Sequence, residues 1–235
     1  MTDTIHLQDP YLRKLIKTKK QTALIPVGSI EQHGPHLPIS TDSDIVSEIA
    51  QRISKKTDFL MLPTINYGVS FEHSPFFNVS VTKATLHKVL VELCISLWKN
   101  KIKTIVILNG HHGNQSALYN IPKKVRSLSK GKVQVFVFSY WHFMKRDFDH
   151  AGFVETSLML AISKKVKMKK AVKGFTANRL STKQKLQVNK LAAKSFISVT
   201  RNGVWGDPRN ATAKEGNKIL SEIVQTFLKE SNLPH

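Results

Sequence analysis

Apolar positions fall into two kinds of block along this chain: short continuous runs, and longer stretches spaced at three and four residues. "TALIPV" (22–27) is of the first kind and reads as a buried strand. Ile45, Val46, Ile49, Ala50 and Ile53 then recur with helical spacing, and Thr41 to Ser43 offer side chains to cap that helix. "FLMLP" (59–63) predicts a second short strand. Leu86, Leu90, Leu93 and Leu97 predict a long helix over 83–99. "KTIVILNG" (103–110) is the clearest central strand, apolar through its middle and stopped by Asn-Gly. A helix is expected after His111, with Pro122 in its first turn or at a kink. "VQVFVFS" (133–139) predicts another strand. Ile219, Leu220, Ile223, Val224, Phe227 and Leu228 mark a terminal helix from Ala213. Strands alternating with helices predict an α/β fold: one three-layer αβα domain over residues 1–235, its sheet mostly parallel and doubly wound.

With 235 residues, 41% of them hydrophobic, the chain can fill such a core without disulfides or a structural metal. Its single cysteine, Cys94, excludes an internal disulfide and any Cys-rich zinc module, and its apolar setting marks it as a core side chain. The first thirty residues show no signal-like apolar segment and no run reaches membrane-spanning length, so a cytoplasmic protein without a membrane partner is expected. The net charge of +20 changes the picture more. It fits a nucleic-acid partner, a field that attracts anionic substrates, or a lysine-rich composition. The lysines are spread along the chain, densest at 164–173 and 183–194, without a zinc finger, Gly/Arg repeat or aromatic RNA-binding signature. Nucleic acid is therefore the lesser reading.

Open parallel sheets bind ligands beyond the carboxyl ends of their strands. Three polar clusters sit there: "GSIEQHGPH" after 22–27, "NGHHGN" (109–114) after 103–108, and "HAGFVETS" (150–157) after 133–139. Glu31 and His33 are two residues apart, so an extended backbone projects both to one side. Asp42 lies at the mouth of the next helix. Carboxylate and imidazole together suit zinc, manganese or iron. Each residue alone has an ordinary reading. Asp42 could be a helix N-cap, Asp44 a favourable charge in the first turn, His36 a packed histidine, and His111 and His112 loop histidines. Their joint occurrence at three strand ends is what points to a metal site.

"PVGSIEQHGPHLPISTD", "NGHHGN", "HAGFVETS" and "GVWGDPRNATAKEG" (203–216) resemble, in order, the four signatures of the creatininase family. The resemblance runs from about residue 20 to 228. It implies a metal-dependent amidohydrolase with one or two divalent ions per chain (Zn, Mn or Fe) and a homo-oligomer, often a hexamer. Matched residue by residue, Glu31, His33, Asp42 and His111 fall on metal-ligand positions, with Asp42 bridging. His150 falls on the proton-transfer position, and Glu155 on one that holds the nucleophilic water or completes a metal shell. The implied substrate is a small-molecule amide with a non-peptide C–N bond, cyclic or formamide, and anionic given the basic charge. The alternatives are a formylaminopyrimidine nucleotide deformylase and, from another class, a basic nucleic-acid-binding protein with a vestigial metal site. The family also includes peptidases that trim a modified peptide. One departure matters: Gly113 stands where creatinine-hydrolysing members carry a carboxylate, so a second metal is either weaker or completed by Glu155 or water. Of the aromatic residues that close over creatinine, only Trp141 has a candidate counterpart.

Overall fold

The computed structural model describes residues 7–18, 21–178, 180–231 and 233. In chain order its elements are α1 (Asp9–Thr18), β1 (Thr22–Val27), α2 (Thr41–Thr57), β2 (Leu60–Met61), α3 (Lys83–Lys99), β3 (Thr104–Asn109), α4 (Gln115–Leu118), α5 (Ile121–Leu128), β4 (Gln134–Ser139), α6 (Phe153–Ile162), α7 (Thr182–Ala192), α8 (Phe196–Thr200) and α9 (Ala213–Glu230). The four strands run parallel in the order β2-β1-β3-β4. Every residue of β1 is buried, as an apolar run covered on both faces requires. Thr22 pairs with Thr104 and the register holds to Val27 with Asn109, so β1 and β3 end level. The chain leaves β1 toward β2 on one side and returns to β3 and β4 on the other. The order therefore reverses between β1 and β3, and a crevice opens beyond their carboxyl ends.

Alternation along the strands divides the core between two faces. Leu24, Val106 and Leu108 pack against Ile45 and Ile49 of α2, Leu158 of α6, and Ile219, Ile223 and Phe227 of α9. Ala23, Ile25, Val27, Ile105 and Ile107 pack on the opposite face against Leu86, Leu90 and Cys94 of α3 and Val125 of α5. This is the three-layer α/β arrangement the sequence pattern predicts. Burial pushes the Cys94 thiol up to about 12, which leaves it an inert core group.

Three details differ from expectation, and Pro122 takes the first of its two expected places. β2 keeps only two residues, because it is an edge strand and Pro63 has no N–H to donate to a ladder. On α3, Leu86, Leu90, Val91 and Cys94 face inward while Leu93 is 36% exposed, since the i, i+4, i+8 row ends on Cys94. Helix α2 starts at Thr41 after Ser40 and has no side-chain cap, so neither Thr41–Ser43 nor Asp42 is spent on capping. Ser40 bonds Asp44 instead, at 2.9 Å. Pro122 lies in the first turn of α5, where its missing N–H costs nothing.

Candidate metal centre

Beyond β1 the backbone is pinned rather than loose: Glu31 N–H donates to Ile39 O at 3.1 Å, and Gln32 N–H to Phe77 O at 2.9 Å. Glu31 and His33 are both buried and belong to one set with His150. Asp42, in the first turn of α2, places Oδ1 3.1 Å from His33 Nε2 and Oδ2 3.0 Å from His111 Nδ1. His111 is aimed by Asn109, whose Oδ1 accepts its N–H at 3.1 Å. Asn114 ties the loops together, accepting from Val69 N–H at 2.9 Å and donating to Gly28 O at 3.0 Å.

The third cluster is built on a backbone bridge between His150 and Trp205. Ala151 then takes φ 52°, and its N–H donates to Glu155 Oε2 at 2.7 Å. Asp149 accepts from Val154 N–H at 2.8 Å and Glu155 N–H at 3.2 Å, closing the start of α6. Burial pushes its carboxyl up to about 7 even though those amides pull it down.

Among the described residues, three sets of side chains gather ligand atoms within 4.8 Å: Glu31, Asp42 and His111; His33, Asp42 and Glu155; and Glu31, His33 and His150. The donor chemistry fits cations. Both Glu31 oxygens and Asp42 Oδ2 are buried and face imidazole nitrogens of His73 and His111 without an aligned hydrogen bond, and Glu155 Oε1 is buried without a partner; such carboxylates are costly unless an opposite charge compensates. His111 Nε2 donates to Val69 O at 2.8 Å, which leaves Nδ1 bare toward Asp42 Oδ2. His33 Nδ1 donates to Glu31 O at 3.1 Å, which frees Nε2 toward Asp42 and, at 3.6 Å, Glu155. An imidazole held through one nitrogen by a carbonyl, with the other facing carboxylates, is how metal-bound histidines are oriented. In a tetrahedral shell with bonds near 2.1 Å, neighbouring ligand atoms stand about 3.4 Å apart. The His111–Asp42, His33–Asp42 and His33–Glu155 separations of 3.0, 3.1 and 3.6 Å bracket that value.

Without a cation, protons take its place. Burial opposes charge on His33, yet Asp42 and Glu155 outweigh it and push the ring up to about 10. Burial opposes charge on His111 as well, and Glu31 and Asp42 again carry it to about 10. Asp42, despite burial, is held far below the usual carboxylate range by these two imidazoles. The sign follows: folded-state values raised above 6.5 stabilise the metal-free fold fully below pH 6.5, and that stability is lost as pH rises toward about 10. Chelated protein is therefore expected to unfold at progressively lower denaturant between pH 6.5 and 10, and metal-loaded protein much less so. Identical profiles for the two forms would rule this out.

The sequence profile of the creatininase family, described as creatinine amidohydrolase, matches residues 6–230. The chain belongs to the creatininase family. A mycofactocin precursor peptide peptidase from Mycolicibacterium smegmatis is 36% identical over 214 residues, covering 86% of this chain and 80% of the relative. The creatinine amidohydrolase of Pseudomonas putida is 28% identical over 165 residues, covering 59% and 63%. A solved structure of creatininase with Mn shares the fold with a TM-score of 0.83 at 22% identity, covering 98% of each chain. This creatininase-family chain is thus a creatininase-like metal-dependent amidohydrolase, and its sheet carries the buried His, Glu and Asp cluster at the reversal point.

The structure brings Glu31, His33, Asp42, His111, His150 and Glu155 together, and it leaves His36 and Asp44 outside every ligand set. His36 Nε2 bonds Thr156 Oγ1 at 2.9 Å, and burial lowers the ring to about 4. His112 stacks near Trp141 and Phe148, at 6.1 and 6.4 Å, so Trp141 belongs to an aromatic group beside His111. Three further residues of the site, His73, Gln32 and Phe196, carry no such mark in the sequence. His73 Nε2 lies 3.0 Å from Glu31 Oε1, and Gln32 Nε2 reaches both His73 Nδ1 (2.9 Å) and His150 Nε2 (3.2 Å). Phe196 covers His73 and His150, with ring centroids 4.6 and 4.7 Å away. Gly203, at φ 76°, leaves room for Gln32, since a Cβ there would stand 1.9 Å from Oε1. The sequence signal for His73 is a Glu-His pair in the connection between β2 and α3.

Proposed function

We propose that this chain hydrolyses a non-peptide amide C–N bond, with Glu31, Asp42 and His111 holding one divalent ion and His33, Asp42 and Glu155 a second. The observation that carries this reading is the sharing of Asp42 between two buried ligand sets. A cation held there would polarise the amide carbonyl and lower the pKa of a bound water from about 15.7 toward roughly 7. Glu155 has one oxygen fixed by Ala151 N–H and the other without a partner, a disposition suited to orienting the nucleophilic water or completing the second shell. His150 is held well below its ordinary value by burial and by the charge on its His33 neighbour, 4.2 Å away ring to ring. A neutral imidazole there accepts a proton from water and returns it to the departing nitrogen. Phe196 and His73 close over the same ring and exclude bulk solvent.

The decisive experiment removes metal by chelation, restores Zn, Mn or Fe singly, and assays creatinine, a formylaminopyrimidine nucleotide and short peptides. A chain that binds none of these ions and is indifferent to chelator would sink the proposal. A peptide amide is the second reading, favoured by the mycofactocin peptidase relative and its 80% coverage. The charge of +20 supports an anionic substrate. If so, kcat/KM is expected to fall as salt rises from 0.1 to 1 M, where the screening length shrinks from about 10 to 3 Å. A flat salt profile for the phosphorylated substrate would remove that expectation. The same measurement with a nucleic-acid shift assay separates the enzyme from a basic binding protein, whose affinity would fall steeply with salt and ignore chelator.

A further inference from the structure

The space beside Gly113 is occupied, and by a carboxylate. A Cβ added at Gly113 would fall 2.2 Å from Val69 O, 2.5 Å from His111 Nε2 and 2.6 Å from Glu72 Oε1. The first of these contacts is with backbone, which has no rotamer to swing aside. A side chain at 113 therefore has no room in this conformation. Glu72 reaches the spot from the 3-10 turn Phe71–His73, in the connection between β2 and α3. Its Oε1 lies 3.7 Å from His111 Nε2, and only 17% of the side chain is exposed. None of the three ligand sets includes Glu72, so its geometry offers influence through His111 rather than coordination.

His111 supplies the route. Around its Nε2 stand Val69 O at 2.8 Å, Glu31 Oε2 at 3.2 Å and Glu72 Oε1 at 3.7 Å, all of them acceptors. That company fixes the proton on Nε2 and turns Nδ1 toward Asp42. When Nδ1 shares its lone pair with a cation the ring gains positive character, and a carboxylate behind it stabilises that charge. We propose that Glu72 is the positioning carboxylate of this centre: it enters from another loop, fills the space that Gly113 leaves, and through its charge favours the His111 tautomer and orientation that bind a cation. Gly113 and Glu72 are then a compensating pair, and the glycine is a requirement of the site. The inference rests on Glu31, Asp42 and His111 being a cation site, as proposed above.

Titration of the metal-free protein with Co(II), followed by visible absorption, tests this directly. Glu72→Gln is expected to keep the wild-type stoichiometry but bind about 10–100-fold more weakly, with an altered band pattern. Glu72→Asp is expected to recover part of the loss. Gly113→Ala is expected to weaken Co(II) binding too, because the new methyl displaces the Glu72 carboxylate or the His111 ring. Unchanged affinity and spectrum in Glu72→Gln would overturn the proposal. So would weaker binding accompanied by an equal loss of thermal stability in the metal-free form, since that would make the residue merely structural. Wild-type protein that takes up no Co(II), or Asp42→Ala that binds like wild type, would instead overturn the underlying site.

Discussion

Asp42→Ala is expected to empty both cation positions and reduce hydrolysis to background. The carboxylate is the only group common to the sets Glu31–Asp42–His111 and His33–Asp42–Glu155. Its two oxygens divide between His33 at 3.1 Å and His111 at 3.0 Å, so one carboxylate serves both imidazoles. Removing one partner of a buried charged group typically costs about 3–5 kcal/mol, and here it strips two imidazoles at once. The metal-free variant should therefore also unfold at lower denaturant than metal-free wild type near neutral pH, where both rings carry charge. Metal content by elemental analysis and an unfolding curve check the two halves separately. Full metal occupancy in Asp42→Ala would contradict the shared-ligand arrangement.

The second large effect is expected at His150. His150→Asn should lower kcat by about 10²–10⁴-fold, the usual contribution of a general acid–base group, while leaving metal content near that of wild type. The separation is informative because His150 also belongs to a ligand set with Glu31 and His33. If it holds a cation, metal is lost together with activity. If it moves protons, activity alone falls and the pH dependence of kcat changes shape. Its position argues for the latter role. Gln32 Nε2 lies 3.2 Å away, the Gln32 carbonyl 3.1 Å, and the ring stacks on His33 under Phe196. Those contacts hold the ring through Nε2 and leave Nδ1 3.7 Å from Glu31 Oε1.

Much of this was legible because burial leaves a periodic trace. β1 and β3 are buried on both faces, and α3 and α9 each lean one stripe on the sheet, so their sequences carry the pattern directly. Helix α6 escaped because six consecutive residues, Val154 to Met159, are buried although Glu155, Thr156 and Ser157 are polar, so no apolar stripe marks it. The candidate site divides in the same way. Glu31, His33, Asp42, His111, His150 and Glu155 follow strand ends or begin helices, where the rule for parallel sheets directs attention. His73 and Glu72 sit after an edge strand of two residues, and only the folded chain brings them to Glu31 and His111. Gly113 shows the limit most clearly. In the sequence it is an absent carboxylate, whereas in space it is clearance for one arriving from elsewhere.

Residues 31–42, 111 and 150–155 meet in one place although long stretches of chain separate them. A cation shared among them would work as a staple in a protein whose single cysteine excludes an internal disulfide. Closing a loop on the order of 100 residues removes about 4–5 kcal/mol of freedom from the unfolded chain when the link persists there. A metal link does not persist on unfolding, so its benefit is the free energy of binding, which only the folded chain gains. Amide hydrogen exchange at the ends of β1 and β3 should then slow markedly on metal loading, in strands that the ion never touches.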